Sequence, residues 1–147
     1  MMTFEGLTAS HPLWERVKVY AAHCSWRADE FLARHMSDCT FSDWERVIVA
    51  LDGETICGYC TVARDDCIPS VPYTPYIGFV FVGEAYRGKR LSQKMIQFST
   101  DYLRSVGFHK VYLVSDHENL YEKYGFQVVD RQLAPWGSLE KIYMLSF

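Results

Sequence analysis

The chain has 147 residues and is 49% hydrophobic and 16% aromatic, which supplies one compact core and argues against disorder. Its net charge of −3 argues against a mainly electrostatic nucleic-acid binder. No run approaches the roughly 20 consecutive apolar residues of a membrane span.

The opening Met1-Met2-Thr3-Phe4-Glu5-Gly6 lacks a basic region followed by an apolar one, so no export signal is visible. Residues 2–7 fit an edge strand. Residues 10–39 read as two helices. Ser10 with Pro12 nearby resembles a helix start. Leu13, Val17 and Tyr20 or Ala21 then recur at helical spacing, and Phe31, Leu32, His35 and Met36 repeat the period.

The middle of the chain changes period. Val47-Ile48-Val49-Ala50-Leu51 is a buried strand within residues 44–51, Asp52-Gly53 is a hairpin turn, and residues 55–63 return as its partner. Residues 65–72 form a polar, proline-punctuated loop. Its Asp65 and Asp66 are either solvated or attract a cationic amine. Tyr76-Ile77-Gly78-Phe79-Val80-Phe81-Val82 is the next strand, opened by Pro75. Gly78 inside it marks a bulge or a close backbone approach.

A helix over residues 90–106 follows, with Leu91, Met95, Phe98, Tyr102 and Val106 as its apolar stripe and Gly107 as its stop. Residues 110–114 are a buried strand. Ser115-Asp116-His117-Glu118 has capping-box spacing and opens a short helix ending at Tyr124-Gly125. Residues 126–131 and 139–145 are final strands around a turn at Pro135-Trp136-Gly137. The expected fold is a single α/β domain over residues 1–147. Its sheet is mixed and mostly antiparallel, with a right-handed parallel strand–helix–strand unit over residues 76–114 and about four flanking helices.

The segment Gly83-Glu84-Ala85-Tyr86-Arg87-Gly88-Lys89-Arg90-Leu91-Ser92 joins a strand to a helix. The first helical turn has amides without intrahelical partners, and the helix dipole adds positive character there. A diphosphate satisfies both, and Gly88 lets the backbone come close. Arg87, Lys89 and Arg90 add charge, and Ser92 adds a hydroxyl. The alternative is a solvated basic turn. The segment lacks the GxxxxGK[ST] loop and the three-glycine dinucleotide fingerprint.

About thirty residues on stands Asn119-Leu120-Tyr121-Glu122-Lys123-Tyr124-Gly125-Phe126. The two motifs together resemble the GNAT superfamily of acyl-CoA-dependent N-acyltransferases. Arg87-Gly88-Lys89-Arg90-Leu91-Ser92 is similar to that family's Q/R-x-x-G-x-G/A loop. Tyr121-Glu122-Lys123-Tyr124-Gly125-Phe126 is similar to its Y-E-K-x-G-F motif. The likeness runs from about Trp44 to Phe147. Two departures stand out: Arg90 where the family usually has Gly, and Ser92 where it has Gly or Ala. Backbone binding survives both if φ is negative there. The link 115–120 is also shorter than usual.

The resemblance implies acetyl-CoA as co-substrate, held by Val80, Phe81, Val82, Arg87, Gly88, Lys89, Arg90, Leu91, Ser92 and Asn119. It implies a splayed strand pair whose backbone pairs with the pantetheine arm and polarises the thioester. Direct attack by a primary amine passes through a tetrahedral intermediate. Tyr121 stands at the family's general-acid position; the plainer alternative is a packed core tyrosine. Glu84, Asp116, His117 and Glu118 are candidate bases, with helix capping or solvation as the alternative for Asp116 and His117.

No metal is expected. Cys57 and Cys60 fall in a strand, where positions three apart face opposite ways about 10 Å apart. His23, Cys24, His35 and Cys39 lack paired ligand spacing. Cys67 has no nucleophile partners. The five cysteines are taken as reduced, in a cytoplasmic protein. The expected partner is a small-molecule amine, or else a peptide amine, with Trp14, Trp26, Tyr73, Tyr76 and Trp136 as candidate pocket walls. Nucleic acid and membrane are not expected partners. A non-catalytic acyl-CoA sensor and a homodimer paired through the final strands remain open at this point.

Overall fold

In the computed structural model, residues 2–23, 29–38, 41–68, 70–117 and 119–147 are described; Cys24, Trp26, Cys39 and Glu118 lie outside them. The elements are β1 (Met2–Leu7), α1 (Trp14–Ala22), α2 (Asp29–Ser37), β2 (Arg46–Asp52), β3 (Thr55–Ala63), β4 (Tyr76–Val82), α3 (Leu91–Val106), β5 (Lys110–Ser115), β6 (Gln127–Leu133) and β7 (Leu139–Ser146). Two single turns of 3-10 helix stand at Glu84–Tyr86 and Tyr121–Tyr124.

The seven strands form one sheet in the order β1-β2-β3-β4-β5-β7-β6. All pairs are antiparallel except β4 with β5. One face carries α3 over Ile48, Cys60, Val62, Ile77, Val111 and Leu113. The other carries α1 and α2 over Val47, Val49, Tyr59 and Phe81. Strand alternation explains the split, since Val47 and Ile48 are neighbours on opposite faces. The helix α3 has its buried stripe at Leu91, Met95, Ile96, Ser99 and Leu103, and it ends at Gly107, where φ is 117°. The amides of Gly107 and Phe108 both reach back to the Leu103 carbonyl, which closes the last turn.

The sequence reading needs five corrections. The described α-helices number three, not about four, because the segment after β5 makes only a 3-10 turn. Ser115 is the last residue of β5, and its hydroxyl accepts the His117 amide at 3.0 Å in a tight turn, so it does not open a helix. Ser10 does not cap α1; that helix begins after Leu13, whose amide donates to His11 Nδ1 at 3.0 Å. Arg90 precedes α3 with φ 60°, so the negative φ required of it is not met. Finally, β3 is not regular at the CxxC. Its register with β2 shifts between Ala50 and Leu51, and this bulge turns Cys57 onto the α3 face beside Cys60. Both thiols are free and buried. Burial pushes the Cys60 thiol up to about 12, against a smaller opposing effect of its Ser99 hydrogen bond.

A candidate active site at the fork between two parallel strands

Strand β4 meets β5 at a single described pair, Tyr76 with Tyr112, tied by the Tyr112 amide to the Pro75 carbonyl at 2.9 Å. Beyond Tyr76 the strands diverge. The cause is visible on the other edge of β4. There Tyr59 pairs with Phe81 but Thr61 pairs with Gly78, so β4 carries one extra residue. Phe79 takes φ 49° to absorb it. This bulge swings the second half of β4 away from β5, and among the described residues the two strands do not pair beyond Tyr76.

Gly58 lets the strands come this close. A Cβ there would stand 2.5 Å from the Phe81 carbonyl oxygen. The bulge also re-aims the side chains. Phe79 and Phe81 pack toward α1 and α2, whereas Val80 and Val82 pack toward α3.

The divergence opens a cleft of about 530 Å³ lined by Val80, Phe81, Val82, Arg87, Ser92, His117, Leu120 and Tyr121. Arg87 closes its strand end, where Nε donates to the Val82 carbonyl at 3.0 Å and the guanidinium lies over the Phe81 ring. Ser92 Oγ and the Tyr124 hydroxyl share a hydrogen bond of 2.9 Å, which joins the first turn of α3 to the late motif. Gly88 at φ 79° and Arg90 at φ 60° turn the chain into α3. In an α-helix beginning at Leu91, the first amides have no intrahelical acceptor. Lys89, Gly88 and Arg90 are exposed at that mouth, and Leu91 is buried beneath it.

Tyr121 sits in a ring of aromatics, with Tyr143 at 5.7 Å, Phe126 and Tyr124 at 6.0 Å and His117 at 6.2 Å between centroids. Burial, then the neighbouring Tyr124, Cys60 and Tyr143, holds its phenol above the ordinary value. It is therefore protonated throughout the physiological range. Its hydroxyl has no hydrogen-bond partner among the described residues. The 115–120 link is braced from below, because the Tyr143 hydroxyl donates to the His117 carbonyl at 2.9 Å.

Of the residues expected to act together, Val80, Phe81, Val82, Arg87, Ser92, His117 and Tyr121 meet in the cleft. Asp116 and Asn119 are exposed and stand outside its walls; Asn119 takes φ 63° in the turn. Glu84 is exposed in the 3-10 turn. The suggested pocket walls divide: Trp14 and Tyr76 are core, Tyr73 is half-buried and Trp136 is 63% exposed. Cys67 is no thiolate, since burial and then the Asp66 charge push it up to about 12. Two contributors escaped the sequence reading. Leu120 needed only the observation that it precedes Tyr121. The Ser92–Tyr124 bond carries no sequence signal, because its partners are brought together by α3 packing on the sheet.

Residues 9–126 match the family model described as the acetyltransferase (GNAT) family. No curated protein sequence gives a significant match. Among solved structures, the chain is similar to an aminoglycoside 6′-N-acetyltransferase complexed with coenzyme A, with TM-score 0.71 and 14% identity over 98% of this chain and 96% of that one. It is similar to a GNAT-family acetyltransferase from Elizabethkingia anophelis with acetyl-CoA bound, with TM-score 0.70 and 13% identity over 99% of this chain and 98% of that one. It is also similar to mutant forms of the spermidine/spermine N-acetyltransferase SpeG from Vibrio cholerae, with TM-score 0.67 and 15% identity over 99% of this chain and 95% of that one. At these identities the likeness is one of fold.

Proposed function

The chain belongs to the GNAT acetyltransferase family, and from that premise we propose that it transfers an acetyl group from acetyl-CoA directly to a primary amine of a small molecule. The observation that carries this reading is the β4–β5 fork, with Val80, Val82, Ser92 and Tyr121 on one cleft. The residues present fit the co-substrate. The β4 edge past Tyr76, where pairing with β5 ends among the described residues, suits the amide-bearing pantetheine arm, and the mouth of α3 suits a diphosphate. Acetyl-CoA supplies the activated acyl group.

The chain's own residues do the rest. The β4 main chain around Val80 offers amide donors to the oxygen on which charge develops. Lys89, Arg90 and the α3 amides hold the anionic end, and Gly88 gives access to it. Tyr121 gives a proton to the departing sulfur. A phenol held above its ordinary pKa is a weak acid in water, but the same apolar walls penalise a thiolate equally, so the transfer stays balanced. A small acceptor is favoured because the approach to the fork lies between packed elements of one chain, and two of the fold neighbours act on aminoglycosides and on spermidine or spermine.

The test is calorimetry with acetyl-CoA followed by thiol release across a panel of diamines, aminoglycosides, arylalkylamines and a lysyl peptide. The expected result is saturable binding, turnover of at least one small amine, and a roughly hundredfold lower kcat in Tyr121→Phe with unchanged acetyl-CoA affinity. Binding without turnover of any amine would replace the enzyme by a sensor.

A further inference from the structure

Of the bases expected from the sequence, His117 lines the cleft, beside the general-acid position at Tyr121. The opposite mouth of the fork holds a second proton acceptor, a carboxylate. Strand alternation puts Ile77 on the α3 face, so Tyr76 and Gly78 face the other way. Over Gly78 stands the half-buried carboxylate of Asp66, from the loop between β3 and β4. A Cβ at position 78 would be only 3.2 Å from Asp66 Oδ2 and 3.2 Å from Thr61 Oγ1, so glycine leaves a notch lined with oxygen.

Beside the notch is the hydroxyl of Tyr76, a residue 1% exposed. It is buried and has no hydrogen-bond partner among the described residues. The groups that act on this phenol are, in order, Asp66, Cys67, Tyr73 and Asp65 after its own burial, so its oxygen points at that loop. A buried polar atom without a partner costs free energy unless something else fills the role. Asp66 itself is fixed, since Oδ1 accepts the Cys67 amide at 2.8 Å.

The position is right for chemistry. Gly78 is two residues before Val80 on the same strand, with only the bulged Phe79 between them. Asp66 therefore stands over the strand segment next to the acyl site, where it can serve the incoming nitrogen directly or through water. The cleft with Tyr121 opens on the α3 face and the notch on the other, so acyl donor and amine enter the fork from opposite sides. We infer that Asp66, in the notch over Gly78 with the Tyr76 hydroxyl beside it, receives the acceptor as a cationic primary ammonium and takes its proton. This rests on the transferase reading above.

The balance closes. One N–H bond of the ammonium breaks and its proton passes to Asp66. The freed lone pair forms the C–N bond, the C–S bond breaks as Tyr121 protonates the sulfur, and the second N–H proton, lost from the now cationic nitrogen, passes through water to restore the Tyr121 phenol. Around Asp66 the titratable neighbours are Asp65, Cys67, Tyr73 and Tyr76, with Glu140 acting on Cys67. Lys110 lies over the ring of Tyr112, which packs with Tyr76, at 5.9 Å. Burial, against the opposing Cys67 bonds, raises the Asp66 carboxyl to about 6, which suits a base at neutral pH.

The experiment compares the full chain with Asp66→Asn and Asp66→Ser, using the best amine of the panel. In the native enzyme kcat/KM should fall below pH about 6 and stay level from there up to the amine's own pKa, about 10. In both variants kcat/KM should drop about a hundredfold at pH 7 and climb tenfold per pH unit toward the amine pKa, because only neutral amine can then react. Acetyl-CoA affinity and far-UV dichroism should stay native, and the serine variant guards against an asparagine that misfolds. A variant that keeps the native plateau and rate overturns this inference alone. Acetyl-CoA binding without turnover in the native enzyme, or no binding at all, overturns the transferase reading and this inference with it.

Discussion

On the α3 side of the fork, the groups proposed to hold acetyl-CoA are main chain, the β4 edge and the first amides of α3, with Tyr121 and His117 beside them. On the other side they are side chains: Asp66, Thr61 and the Tyr76 hydroxyl around a glycine. Main-chain groups are fixed by strand and helix geometry, so whatever moves β4 damages that side. Of the side chains, Thr61 and Tyr76 stand on β3 and β4, but Asp66 is held by a loop, so it can change with little effect on the fold. The two glycines of the fork separate these cases. Gly58→Ala puts a Cβ 2.5 Å from the Phe81 carbonyl oxygen, a backbone atom. It should cost about 3 kcal/mol of stability and weaken acetyl-CoA binding. Gly78→Ala meets only side-chain oxygens at 3.2 Å. It should cost less than about 1 kcal/mol, leave acetyl-CoA affinity alone and raise the amine KM. Denaturant melts and calorimetry on the pair check this. Equal losses would mean that the two mouths of the fork are one mechanical unit.

The second prediction concerns how stability depends on pH. The Asp66 carboxyl rises from 3.8 to about 6 on folding. The native state therefore binds more protons than the unfolded one between those values. Its contribution is complete below pH about 4 and is lost as pH rises through about 6. At pH 8 the native protein should carry a penalty on the order of 3 kcal/mol, which Asp66→Asn relieves. The melting temperature of the variant should exceed the native one at pH 8 and match it near pH 4. A variant less stable at pH 8 would show that the carboxylate has a structural role.

The contrast between the two mouths also decides what could be read from the sequence. The β2–β3 hairpin, the β4–α3–β5 crossover and the α3 mouth follow local rules: alternation, Asp52-Gly53, a glycine-containing turn and the Gly107 stop. The Tyr121 motif belongs to the same class, since its residues are contiguous. The notch is different. Asp65-Asp66 in a polar loop looks like a solvated turn, and nothing local separates Asp66 from its neighbour. Its burial depends on a missing Cβ twelve residues later and on a bulge set by the pairing of β3 with β4. The Cys57 reading failed for the same reason: a bulge is a property of two strands, and alternation within one strand cannot reveal it. Leu120, one residue before Tyr121, could have been found, because a short link must pass the mouth of the cleft.

Arg90 gives the smallest expected effect and the sharpest test of main chain against side chain. It precedes α3 at φ 60° and ψ 27°, a left-handed conformation that a side chain disfavours by about 1 kcal/mol. Arg90→Gly removes that strain but gives the unfolded chain more freedom, so the net gain should be only about 0.5 kcal/mol. Arg90→Ala keeps the strain and loses only the charge, so its stability should match the native protein. Both variants lose the same guanidinium. If the α3 amides carry the diphosphate, the two should bind acetyl-CoA within about threefold of the native protein, since an exposed charge contributes about 1 kcal/mol or less. If both instead lose tenfold or more, the guanidinium carries the anion, and the α3 mouth is built from side chains like the notch opposite. If only Arg90→Gly loses affinity, the side chain at 90 holds the turn that aims the amides. Arginine in a position that favours glycine would then be strain kept for the geometry of the site.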